Sequence, residues 1–263
     1  VHHLCFFSMN NMKTQVEEKF SEFFEKWVCQ LEEHVQLLLR VSKEKQNEAE
    51  VQALVSRVTS HYKEYYTVKW AGAHEDVLAF FTPVWLSPLE NAYLWITDWK
   101  PSMAFQVIDG LRIKTMEPRN SLVEMSEQQV KKIEDLRVKI RLEKEKVERE
   151  MERQQVSLAD RRMVELARLA SRVNEGDMVG QVLDGLVEVA LKELLKGLER
   201  VVKAADGVRL KTLKGVLDVL SPRQSVDFLA AILTLQIRLR QRGKKRNQND
   251  QADGILVEPP TLV

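Results

Sequence analysis

Apolar residues recur every three or four positions along most of this chain, the period of a helix face rather than of a strand. Between Thr14 and Ser42, Val16, Phe20, Phe23, Trp27, Leu31, Val35 and Leu38 fall on one stripe and predict a long first helix. Val51, Leu54, Val58, Tyr62 and Tyr65 predict a second over Asn47 to Trp70, followed by a short piece from Asp76 to Phe81. Ser87-Pro88-Leu89-Glu90 reads as a capping box with proline at the first helical position. The helix it opens is expected to carry Leu89, Ala92, Ile96 and Trp99 on one stripe, with Trp95 turned to another side. Pro101 opens a further helix bearing Met103, Ala104, Val107, Ile108 and Leu111.

The second half keeps the same period. Ser126 to Gln129 opens the longest run, from Glu127 towards Arg172, with Val130, Ile133, Leu136, Ile140, Val147, Met151 and Leu158 along it. Alternating charges such as Asp135 with Lys139 and Glu145 with Arg149 mark a solvated face. Unbroken it would span roughly 65 Å, so a bend is expected near Ser157 to Asp160. Val182, Leu183, Leu186, Val189, Ala190, Leu194, Leu198 and Val201 form a broad apolar face over Asp177 to Ala205, which predicts a centrally packed helix, and Leu210 to Leu220 predicts a short one after it. Ser221-Pro222-Arg223-Gln224 repeats the capping pattern and starts a last helix reaching Arg242.

Composition agrees with this reading. Ten glycines in 263 residues fall below the usual share of about 7%, too few for the turns of an all-β or dinucleotide-binding chain. The seven prolines stand at element boundaries, as they do in helical proteins. The fold class is therefore all-α: a single domain of about eight helices, one of them long and charged. Residues 1–12 are expected to be disordered, 13–243 to form the domain, and 244–263 to be a disordered basic and polar tail. Forty basic against thirty-nine acidic side chains leave a net charge of +1, so any attraction to nucleic acid must be local. Cys5 and Cys29 allow at most one bridge and fit a reducing compartment. No apolar run reaches the roughly 20 residues of a membrane span, and no membrane partner is expected. The LCFF start is too short for a secretory signal.

The commonest catalytic grammars are missing. The sequence has no GxGxxG, GxxxxGK[ST], HExxH, CxxC or GxSxG, so neither an enzyme nor a cofactor or metal site is expected. His34 reads as a polar-face residue of the first helix, and His74-Glu75-Asp76 as a loop and helix-start cluster rather than a cation site.

Two clusters carry the candidate binding chemistry. Eleven of the eighteen aromatic residues lie between Tyr62 and Phe105. They read either as a core where helices cross or as an apolar groove for a partner helix or hydrophobic ligand, framed by Phe24, Trp27 and Phe81 with Trp85, Trp95 and Trp99 as anchors. Arg238, Arg240, Arg242, Lys244, Lys245 and Arg246 place six cations within nine residues, a solvated helix end first, a nuclear import signal second and a phosphate contact third. The Glu127 helix fails as a basic zipper. Ile133, Ile140 and Val147 are seven apart, but the companion positions after Leu136 are Glu143 and Glu150.

Four stretches carry a family resemblance: Phe20-x-x-Phe23-Phe24-x-x-Trp27, Tyr65-Tyr66, DVLAFFTPVWLSPLENAYLWITDWKPSMAFQVI from Asp76, and LSPRQSVDFLAAILTLQIRLRQRG from Leu220. Together they resemble the plant delay-of-germination domain, found in stand-alone seed-dormancy regulators and at the C-terminal end of TGA-type basic-zipper transcription factors. The resemblance implies a regulatory protein of the nucleus or cytoplasm. Its implied partners are protein phosphatases in abscisic-acid signalling or zipper factors, with a homodimer as a further option. Sequence-specific DNA binding, as in the zipper relatives, is a second implication that the missing zipper weakens, and an apolar small-ligand carrier is a third reading. Some members of the dormancy branch carry a histidine pair in the last helix that is associated with haem. Here Gln236 and Arg240 stand in those places, and haem binding is not carried over.

Overall fold

The computed structural model describes residues 14–43, 47–113, 121–157, 164–165, 168–169 and 178–254. The expectations for residues 1–12, for a bend near Ser157 to Asp160 and for the chain after Gly254 fall outside these residues wholly or in part.

Helix starts follow local chemistry. Thr14 and Glu17 exchange hydrogen bonds at the head of α1 (Gln15–Lys43), and Asn47 accepts from the Ala49 amide at the head of α2 (Glu48–Glu75). The expected boxes form at Ser87 for α4 (Pro88–Ala92), at Ser126 for α6 (Glu127–Ser157) and at Ser221 for the last helix, here α8 (Pro222–Gly254). Gln129 of one box donates to Gln224 of another at 2.8 Å, which sets the head of α6 against the head of α8. A short α3 (Leu78–Phe81), α5 (Ser102–Arg112) and a 3-10 turn at Ser121–Glu124 complete the elements before α6. Among the described residues no strand occurs beyond one isolated bridge, and the all-α class holds.

The core lies where α1, α2 and α8 pack on one another, with α4, α5 and the following α7 (Met178–Val219) around them. Phe20, Leu31, Leu38, Val58 and Tyr66 from the first two helices meet Phe228, Leu229 and Leu233 of α8, all nearly inaccessible to solvent. On the other side α6 runs against α7, burying Ile133, Ile140 and Val147. Gly215 lets the two helices close: a Cβ there would lie 2.8 Å from Leu136 Cδ1.

Four expectations are corrected. α2 continues beyond Trp70 to Glu75. The segments Asp177 to Ala205 and Leu210 to Leu220 are joined in one helix, α7, and Asp206 and Arg209 bond each other where the break was expected. The central packing of α7 lies in Val201, Val202, Ala205, Val208 and Val216 rather than in its first half, where Leu186 and Val189 are 50% and 61% exposed. Finally, the helix α8 passes Arg242 and runs to Gly254, so the first part of the expected tail is helical. Gly243 is no helix stop. It lies against α4, where a Cβ would meet Ser87 Oγ at 2.0 Å.

Candidate functional site

The helix opened by Ser87 ends at Ala92 instead of continuing through Trp99. Tyr93 and Leu94 turn the chain, Trp95 and Asp98 exchange backbone hydrogen bonds of 2.7 and 3.3 Å, and Ile96 takes a left-handed φ of 61°. A β-branched residue reaches that region only when its surroundings impose it. On either side of Ile96 the backbone is held by Arg209 of α7, which is fully buried and donates to the carbonyls of both Trp95 and Trp99, the latter at 2.7 Å.

Arg209 belongs to a buried charged cluster. Asp206, also fully buried, accepts from Arg209 at 2.6 Å, from Lys69 at 2.9 Å and from the Trp70 indole at 3.0 Å. Lys69 lies 3.5 Å from Asp98 and over the rings of Tyr65 and Tyr66. Two cations face two carboxylates, so the charges balance and their desolvation is offset. Burial first, and then the Asp98 carboxylate, push the Tyr65 and Tyr66 phenols well above the usual range. They stay neutral, and Tyr66 accepts the Trp99 indole N–H at 3.0 Å. The cluster pins loop 93–99 against α2 and α7.

The predicted groove residues separate into three places. Phe24, Trp27 and Trp99 line one apolar pocket of about 120 Å³ between α1, α2, loop 93–99 and α8. Tyr93 and Leu235, 61% and 46% exposed, line it too and form its mouth. Trp85 instead meets Phe20 in a tilted contact and Phe80 edge to face, at ring distances of 4.6 and 5.2 Å, and Phe81 packs on the same core at its edge. Trp95 points the other way. Its ring is held between the cations of Lys144 and Arg209, and its indole donates to Glu148 at 2.9 Å. Burial raises the Glu148 carboxyl, but the hydrogen bonds from Lys144 and Trp95 outweigh it and leave it below its ordinary value. Trp85, Trp95 and Trp99 are all buried; of the three only Trp99 lines the pocket, whose exposed mouth is formed by Tyr93 and Leu235.

Trp27 locks the pocket wall. Its ring lies parallel to His61 at 4.9 Å, its indole donates to the His61 carbonyl at 3.2 Å, and His61 Nε2 bonds the Trp27 carbonyl at 3.0 Å. A carbonyl only accepts, so Nε2 carries the proton. His34, expected on an exposed face, is half-buried with its ring 5.0 Å from His61. Burial lowers the pKa of both, and for His34 the neighbouring His61 and Arg57 lower it further.

The six-residue basic cluster divides as well. Arg240 is buried, stacks on Phe24, and bonds Glu25, Glu90 and the Trp85 carbonyl. Lys244 pairs with Glu25 at 3.2 Å, while Arg238, Arg242, Lys245 and Arg246 are exposed. Of the two residues in the haem-associated places, Gln236 accepts from the Tyr62 hydroxyl at 2.9 Å and Arg240 is committed to carboxylates. His74 bonds Glu199 across to α7, and Asp76 caps the amides of Leu78 and Ala79. Among the described residues no three His, Cys, Asp or Glu side chains form a metal-binding group, and no helix is long and apolar enough to cross a membrane.

Comparison with known proteins places this architecture. The family model described as "DOG1: Seed dormancy control" matches residues 33–109. Over 240 residues, covering 91% of this chain and 98% of the relative, the sequence is 52% identical to Protein DOG1-like 4 of Arabidopsis thaliana. The chain belongs to the DOG1 family. Protein RESPONSE TO ABA AND SALT 1 of the same plant is a more distant match, 29% identical over 89% of this chain and 98% of its own length. Transcription factor TGA6 is 28% identical over 73% of this chain, which covers 54% of that longer protein. The DOG1 family match spans α2 and loop 93–99, whereas Phe24 and Trp27 lie before it and Asp206 and Arg209 beyond it. A buried acid and base three apart on an apolar helix were the one sequence signal that could have found them.

Proposed function

We propose that this DOG1-family protein is a non-enzymatic regulatory adaptor that binds a protein partner at the mouth of the Trp27–Trp99 pocket. The observation that carries the reading is an exposed Tyr93 and Leu235 set over an apolar floor of Phe24, Trp27 and Trp99, the arrangement in which a partner's apolar side chain enters a pocket and becomes a binding hot spot. A volume of about 120 Å³ suits one inserted side chain and lies below the roughly 300–1,000 Å³ of common small-molecule sites, which favours the adaptor over a ligand carrier. The division of the basic cluster, with Arg240 turned inward, counts against DNA as the principal partner. The names of its relatives support a role in seed-dormancy, hormone-response or transcription control; the family resemblance supports action in nucleus or cytoplasm with a phosphatase or a zipper factor as partner.

The test is affinity purification of the full chain from plant nuclear and cytosolic extracts, with Tyr93→Ala and Leu235→Glu forms in parallel. Both positions are exposed, so circular dichroism and melting temperature should be unchanged. Recovery of a specific partner should fall by at least ~10-fold in both variants, as expected for hot-spot residues. Equal recovery with parent and variants overturns the reading.

A further inference from the structure

A second groove lies between α2 and α7. At about 480 Å³ it exceeds the aromatic pocket, at about 120 Å³, and its chemistry differs. The floor is apolar, made by Val55 of α2 and Leu213 and Leu217 of α7, and Leu220 closes one end. The rims are cationic: Lys63 on the α2 side and Lys211 and Lys214 on the α7 side, with Asp218 the one carboxylate among the lining residues. Lys214 spends its charge on Asp218 and Lys211 on Glu143, but both lysines are largely exposed, 74% and 62%. Such pairs contribute at most about 1 kcal/mol, so an incoming carboxylate can replace them. Lys63 forms no ion pair among the described residues. In a chain of net charge +1, a groove whose three lysines face Asp218 and, outside the lining, Glu143 keeps a net positive rim.

From this charge pattern we infer that the α2–α7 groove binds an acidic amphipathic helix of a partner protein. The groove follows α2 from Gln52 to Lys63, roughly 16 Å at helical rise, the length of about three turns. An apolar stripe at i, i+3, i+4 and i+7 would lie on Val55, Leu213 and Leu217. Asp and Glu on its flanks would meet the lysines of both rims, and the short hydroxyls of Ser56 and Ser60 leave the α2 rim low enough for entry. A nucleic acid would use the same lysines and leave the apolar floor uncovered, so the floor decides between them. This surface is separate from the Tyr93–Leu235 mouth, and each can be tested alone.

The probes are three synthetic peptides titrated against the full chain by fluorescence anisotropy: a helix with a leucine stripe and glutamate flanks, the same stripe with lysine flanks, and a scrambled glutamate peptide without the stripe. A duplex oligonucleotide is the fourth. The glutamate-flanked helix should bind at least ~10-fold tighter than the other two peptides and weaken with added salt. Lys63→Glu/Lys211→Glu/Lys214→Glu should reverse the preference between the two flanks. Ser56→Trp, a bulky residue at an exposed position, should block the floor while leaving the melting temperature unchanged, and Tyr93→Ala should have no effect. Indifference to flank charge, insensitivity to either groove variant, or binding of the oligonucleotide in preference to the peptide overturns the inference.

Discussion

The body formed by α1, α2 and α8 and the loop 93–99 are built from similar residues and obey different rules. In the body, each helix buries the stripe that its own period defines, and the reciprocal bonds between Trp27 and His61 close helices that already face each other. In the loop, a segment with an equally good helical stripe is not helical. Its conformation is set by Arg209, which reaches the Trp99 carbonyl across 110 positions of sequence. Apolar periodicity decides structure where burial is local. Where a buried cation needs acceptors, the backbone bends to supply them, because an unbonded guanidinium in the core would cost more than one lost turn of helix.

Removing that cation is the strongest way to break the contrast. Arg209→Met leaves the Trp95 and Trp99 carbonyls without their donor and Asp206 with Lys69 and Trp70 alone. Urea denaturation should report a loss of about 3–5 kcal/mol, the usual consequence of breaking a buried ion pair, while helical circular dichroism stays near that of the parent. A loss under about 1 kcal/mol would place the cause of the loop elsewhere.

A smaller effect is expected at the junction of the two regions. Ser87→Ala removes the cap of α4, whose partner carboxylate Glu90 is buried and bonded to Arg240. About 1 kcal/mol should be lost. Ser126→Ala, at an exposed cap of the same pattern, should cost less, because water can replace the hydroxyl there.

The smallest effect concerns the body alone. His34 and His61 have pKa values lowered by burial, so between those values and the unfolded value near 6.5 the unfolded chain binds more protons. Stability is therefore full above about pH 6.5 and declines as pH falls below it. Melting curves from pH 7.5 to 5 should fall in that direction, and His34→Gln should flatten part of the slope. A slope unchanged in the variant would assign the decline to other groups.

Much of the fold was legible before any coordinates. The stripes of α1 and α2, the boxes at Ser87, Ser126 and Ser221, and the long charged α6 follow from side-chain period and capping chemistry, which act within a few residues. The aromatic segment was legible as a place where helices meet. Its division was not. Whether Trp95 faces Lys144 and Arg209 or Trp99 faces Tyr66 depends on which distant helix arrives on each side. The basic cluster misled for a similar reason: six cations within nine residues count alike in a sequence, but Arg240 lies on the inward face of α8, where Glu25 and Glu90 neutralise it. The expected helix end at Arg242 was misplaced because Gly243, the next residue, is a contact with α4 inside the helix.

The sequence by itself determined the all-helical class, the helix starts and the family to which the chain belongs, because these depend on interactions between near neighbours and on a run of residues long enough to be specific. Only the tertiary structure decided the loop after Ala92, the continuity of α7, the inward turn of Arg240 and the two grooves with their open rims. Each is fixed by charges and side chains brought together from distant parts of the chain. Their pairing is selected by the desolvation cost of leaving them apart, which has no signature in local order.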